Sequence, residues 1–184
     1  MSFRNTTRSW GSLSKALHWI IVILIINQWV IAERADSLPN GLAKLQALGW
    51  HKTFGITILM LAVIRLVWRL VNPTPDLAAE TRPWERVLAR LSHLLLYALI
   101  FAMPLTGWMM SSARNFPVSW FKLFQLPDLV APSEQTFHLT HDLHHLLFNV
   151  LVGVAALHIA GALKHHFIDK NDVLKRMLPF GGIK

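Results

Sequence analysis

The stretch from His141 to Leu163, HDLHHLLFNVLVGVAALHIAGAL, decides the architecture. Asp142 is its only acidic residue and it holds no Lys or Arg. Its length matches the ~20 residues that carry a helix across a hydrocarbon core. Backbone in lipid must satisfy its own hydrogen bonds, so the stretch is a helix. Four histidines nevertheless lie within it, and two of them share a face. His144 and His158 are 14 residues apart, nearly four full turns, so they share a face and stand ~21 Å apart along the axis. His145 is rotated by about 100° and leaves that face. Ionisable side chains at such depth are costly and point to function.

Three further apolar stretches resemble this one, which predicts helices at about 14–32, 48–71, 88–110 and 141–163. The 184 residues are 53% hydrophobic and 15% charged, with a mean hydropathy of +0.40. That composition excludes an ordinary soluble domain. The stretches are too long, and lack the alternation, for barrel strands. The expected fold is therefore all-α, an integral membrane bundle of four transmembrane helices. No repeat, low-complexity tract or linker divides residues 1–184, so a single domain is expected. Asn27 and Gln28 interrupt the first apolar run, which reads as a retained span rather than a cleaved signal.

Charge sets the orientation. With four spans, thirteen of the eighteen Lys and Arg fall on the side of the termini and the middle connection, and five on the other. The positive-inside rule then places both termini in the cytoplasm. The net charge of +8 is thus a topology signal, and nucleic acid is not an expected partner. The chain has no cysteine, which removes disulfides, iron–sulfur clusters and thiolate chemistry.

The connections carry their own signals. Pro39-Asn40-Gly41 marks a turn, and residues 42–48 read as a short interfacial helix before the second span. Asn72-Pro73-Thr74-Pro75 stops the second helix. Pro104 and Gly107 lie inside the third, where a kink or a close backbone approach is tolerated. The longest connection, about residues 111–140, holds Trp120, Phe121 and Phe124 and is expected to fold back on the membrane surface.

Depth pairs the histidines across helices. His18 enters the first span from the cytoplasmic side as His158 leaves the fourth towards it; His51 and His144 match on the outer side. Two imidazoles facing one another between helices are what six-coordinate haem b requires, so two haems b are expected, with these four residues as axial iron ligands. Such sites have no open position for oxygen or substrate, and they pass electrons. His93 has a depth similar to His18, so it either replaces that ligand or hydrogen-bonds a propionate. His138, His141, His144 and His145 also have the spacing of a zinc or copper site, which would suit a metal-ion transporter.

Ser14-Lys15-Ala16-Leu17-His18-Trp19, Gly49-Trp50-His51-Lys52 and Leu157-His158 through Leu163-Lys164-His165-His166-Phe167 resemble the bacterial cytochrome b561 family. The tail Asp169-Lys170-Asn171-Asp172 and Leu174-Lys175-Arg176-Met177 fits as well, so nearly the whole chain is covered. The resemblance implies four helices, two b haems on His18, His51, His144 and His158, and electron exchange with quinone. One branch of the family is a superoxide oxidase that reduces ubiquinone; related cytochromes anchor hydrogenases and other dehydrogenases. A bacterial inner-membrane protein is therefore expected, with superoxide or a periplasmic redox protein as donor: either a superoxide:ubiquinone oxidoreductase, or a non-enzymatic relay or anchor passing electrons between quinone and a partner dehydrogenase.

Reducing quinone consumes protons, so a titratable group is needed beside the inner haem. His165 is seven residues beyond His158, on the same helical face. Histidine titrates near neutrality, which suits that task, and the resemblance points to it too. Ser14 and Trp19 are weaker candidates for the same pocket. On the outer side an anionic donor would be drawn by positive charge, for which Arg114, Lys52 and Lys122 are placed. Arg65 and Arg69, at the inner end of the second helix, suit phosphates or an inner propionate.

Overall fold

The computed structural model describes residues 2–76 and 81–179. Lys184, part of the charge count, and the two ends of the expected domain lie outside the described residues. The element order is α1 (Ser12–Ser37), α2 (Leu42–Leu70), α3 (Pro83–Ala113), β1 (Ser119–Trp120), β2 (Phe124–Gln125), α4 (Glu134–Phe167) and α5 (Val173–Met177). The four long helices have 26 to 34 residues and are apolar enough to cross a membrane. The class is all-α and transmembrane.

Every long helix outruns the ~20 residues the hydrocarbon needs, and the reason is local. Pro83 occupies the first turn of α3, where its missing N–H costs nothing, and Glu85 Oε2 accepts the Arg82 N–H at 3.0 Å, half of a capping box. Ser133 caps α4, its Oγ accepting the Thr136 N–H at 3.2 Å. Hydropathy marks only the apolar portion; the capping groups set where the backbone turns. For the same reason the expected interfacial helix at 42–48 is not separate: it forms the first turns of α2, which runs unbroken from Leu42.

The apolar side chains point outward. Ile23 is 62% exposed, Leu94 66% and Leu157 72%. Contiguous apolar surface on this scale needs lipid around it.

The chain divides into two compact units, residues 1–20, 63–98 and 151–184 in the first and 21–62 with 99–150 in the second. Each includes a segment of every long helix. In the first, Asn5 ties the N-terminal turn together: its Oδ1 accepts the Gly11 N–H (2.9 Å) and the Ser14 hydroxyl (2.6 Å), and its Nδ2 donates to the Pro73 carbonyl at 3.0 Å. A Cβ at Gly11 would stand 2.4 Å from the Phe3 carbonyl oxygen, so the close approach demands glycine there. In the second unit, β1 and β2 form a short antiparallel hairpin within the long connection. It folds onto α2: Thr53 Oγ1 donates to the Ser119 carbonyl (3.0 Å) and Trp120 Nε1 to Thr57 Oγ1 (3.1 Å).

Candidate functional site

In the unit of residues 21–62 and 99–150, His51 of α2 faces His144 of α4, ring centroids 6.3 Å apart and planes at 71°. Two metal–nitrogen bonds of about 2 Å, with each ring centre roughly 1.1 Å behind its nitrogen, require about 6 Å. The spacing therefore admits one iron between the rings. Thr106 Oγ1 lies 3.0 Å from His144 Nδ1. Its own hydrogen is engaged by the carbonyls of Ala102 and Met103, both at 2.9 Å. The threonine oxygen is left to accept, so Nδ1 carries the proton and Nε2 keeps the lone pair that a metal ligand needs. Gly107 makes room: a Cβ there would meet His144 Cε1 at 3.2 Å.

His51 is anchored through its carbonyl, which accepts from Gln28 Nε2 at 2.8 Å. The Gln28 carbonyl also faces the ring, but not in hydrogen-bond geometry, and Nδ1 is buried without a partner. Buried polar atoms are seldom left this way. An imidazole so placed fits a ligand set that a cofactor completes.

In the unit of residues 1–20, 63–98 and 151–184, three histidines gather. His93 of α3 and His158 of α4 have ring centroids 5.2 Å apart, and His18 of α1 lies in the electrostatic reach of both and of Arg65. At 5.2 Å, His93 stands closer to His158 than two ligands on opposite sides of one iron. Arg65 donates to the Ser14 carbonyl at 2.9 Å and has the Tyr97 hydroxyl within its electrostatic reach. Among the described residues no carboxylate pairs with it. A partly buried guanidinium lacking an anion is costly, and the propionates of haem are of the chemistry that would match it. The donor sets of both units thus fit haem.

At the inner end of α4, His165 Nδ1 lies 2.7 Å from Asp169 Oδ2. Lys164 Nζ bridges Glu85 Oε1 at 2.5 Å and Asp169 Oδ2 at 2.8 Å. Donor atoms of Glu85, His165 and Asp169 all lie within 4.8 Å of one another, but the Lys164 ammonium already serves as the cation for both carboxylates. The Asp169 carboxyl, beyond the end of α4, is held below its usual range chiefly by the Lys164 hydrogen bond; burial opposes this and the His165 hydrogen bond adds to it. Ser14 and Trp19 are engaged elsewhere. The Ser14 hydroxyl donates to Asn5 and accepts from Trp68 Nε1 at 3.1 Å, and Trp19 Nε1 donates to the Met177 carbonyl at 2.9 Å.

The outer cations differ in their pairing. Arg114 contacts Glu134 at 2.8 Å and stacks over Phe137, 4.0 Å from the ring centre. Among the described residues Lys52 bonds only neutral acceptors, the Ser111 hydroxyl (3.2 Å) and the Pro117 carbonyl (2.8 Å). Its charge is the less compensated of the two. Lys122 is exposed in the hairpin turn, with φ 60°. His138 pairs with Glu134 at 3.8 Å and His141 with Asp142 at 3.1 Å.

The sequence pattern gave Thr106 no role, read Gln28 only as a break in the first apolar run, and did not reveal the Glu85–Lys164–Asp169 network. Asp169, four residues past His165, was the one signal available. Thr106 and Gln28 reach across helices, where no spacing reveals them.

Four membrane-crossing helices with histidines facing one another between them define a helical membrane cytochrome. The family model described as prokaryotic cytochrome b561 matches residues 9–180. The chain belongs to that family, and is a bacterial membrane electron-transfer protein that binds haem b. It is similar to "Cytochrome b561 homolog 2" of Escherichia coli (strain K12), 36% identical over 97% of this chain and 95% of the relative. It also resembles the "Probable superoxide oxidase CybB" of Yersinia pestis, 29% identical over 94% and 97%. The "Cytochrome b562" of Cereibacter sphaeroides is 25% identical over 90% and 92%.

Proposed function

We propose that this chain is a single-domain, di-haem protein of the bacterial inner membrane, with both termini cytoplasmic, that oxidises superoxide at its outer side and reduces ubiquinone at its inner side. The observation that carries this reading is the grouping of histidines in each structural unit. His51 and His144 face each other at 6.3 Å in one, and His18, His93 and His158 lie within the electrostatic reach of Arg65 in the other. His18 and His158 are the inner ligands in this reading, since His93 crowds His158. A haem held by such a pair supplies a one-electron carrier with no open coordination position. The likeness to a relative named a probable superoxide oxidase supports the choice of donor.

The residues divide the work by side. Lys52, whose charge no carboxylate offsets among its bonds, attracts the anionic donor more strongly than Arg114, which Glu134 neutralises. Thr106 orients the His144 imidazole, Gln28 holds the main chain at His51, and Arg65 balances anionic charge beside the inner imidazoles. His165 delivers protons to the reduced quinone. Over the cycle two superoxide ions lose one electron each to become dioxygen; ubiquinone gains those two electrons and two protons.

The test is purified, pigmented protein supplied with enzymatically generated superoxide and a short-chain ubiquinone. Quinol formation stoichiometric with superoxide consumed, abolished by superoxide dismutase, is the expected result. Absence of quinol formation, with co-purification of a dehydrogenase subunit that restores it, would replace this reading by a relay.

A further inference from the structure

Beyond His165 itself, we infer that Asp169 is a positioning residue for quinone reduction: its carboxylate holds His165 Nδ1–H so that Nε2 is the atom that hands protons to the quinone. The inference rests on quinone binding beside His165.

The geometry is specific about which nitrogen is free. Asp169 Oδ2 stands 2.7 Å from Nδ1, an ion-pair contact with the ring nitrogen on that side. Asn171 Nδ2 lies 3.4 Å from the same nitrogen, too long to compete. An ionised carboxylate only accepts, so Nδ1 keeps its hydrogen throughout and Nε2 alone exchanges a proton. A carboxylate behind an imidazole also favours the charged ring that a proton donor must become.

Lys164 sets the strength of that arrangement. It bonds Asp169 at 2.8 and 3.0 Å and Glu85 of α3 at 2.5 Å. Glu85 Oε2 is in turn occupied by the Arg82 N–H. Asp169 meets His165 directly, and Lys164 links that carboxylate to Glu85. Lys164 withdraws part of the negative charge that Asp169 offers to the imidazole. Asp169 takes up no proton in the cycle; two protons per quinone pass from cytoplasmic water through Nε2, and the electrons arrive separately.

The two neighbours give opposite signs, which a loss of rigidity cannot imitate. Dithionite-reduced full-length protein in nanodiscs is mixed with a short-chain ubiquinone, and reoxidation is followed by haem absorbance across the pH range. In Asp169→Asn the alkaline fall in rate arrives about one pH unit lower, a tenfold loss on that limb, whereas Lys164→Met moves it to higher pH and Asp169→Glu restores the parent profile. The ¹⁵N resonances of His165 report the same shifts without turnover, and haem content stays at the parent value in all three. His165→Ala separates the layers: if it leaves reoxidation unchanged, quinone is not served by His165 and the inference falls with that reading. If His165→Ala slows reoxidation while Asp169→Asn keeps the parent profile, or both neighbours shift it the same way, the positioning role alone is overturned.

Discussion

Single atoms decide how the histidines are presented. The 3.2 Å gap between a Cβ at Gly107 and His144 Cε1 leaves no slack, so Gly107→Ala is expected to tilt the His144 ring and alter the spectrum of one haem while the other keeps its parent bands. Unchanged absorption and electron paramagnetic resonance spectra would show that the ring relaxes freely. Asp169 makes a pH prediction whose sign is fixed. Its carboxyl is depressed in the folded chain, so the stability it contributes is complete above the unfolded carboxylate range near ~3.9 and is lost as pH falls through the folded value. Thermal midpoints of the parent and Asp169→Asn should differ at neutral pH and converge in acid; a constant gap would refute the linkage. The histidine positions themselves could be read from the chain, because depth in a helix follows from counting residues. Thr106 could not, because its contact with His144 depends on how two helices face.

Among the elements, the four helices were foreseeable and their ends were not. Hydropathy locates what lipid must cover, whereas Ser133 and Glu85 fix where the backbone begins to turn. The outer connection shows the same division. Its aromatic residues announce a segment that folds back, yet the hairpin at 119–125 and its hydrogen bonds to Thr53 and Thr57 come from packing. Lys52 joins this element to α2 through the Pro117 carbonyl and Ser111. Lys52→Met is expected to cost about 1 kcal/mol and to make the connection more open to limited proteolysis. With superoxide as donor it should also weaken the dependence of rate on ionic strength. Arg114→Met, which removes a charge already paired with Glu134, should change that dependence less; the reverse ranking would move the outer attractor to Arg114.

For the molecule as a whole, two histidine groups in two structural units predict two separable haems. His158→Ala should lower the pyridine haemochrome count from two per chain to one, with His51→Ala doing the same through the other site. A single haem in the parent protein, or loss of both from either substitution, would contradict that division. His93→Ala should keep both haems, because His93 stands too close to His158 to be its opposite ligand.

The sequence by itself determined the lipid-embedded class, the four spans, their charge asymmetry and the depths of the histidines. These follow from the cost of polar groups in hydrocarbon and from the fixed rise of a helix, which are properties of composition and residue count. Tertiary structure alone decided that Thr106 stands behind His144, that Arg114 is ion-paired with Glu134 while Lys52 bonds neutral acceptors, and that Glu85 meets Lys164 beside His165. Those contacts depend on distances between segments far apart in the chain, which no local periodicity encodes.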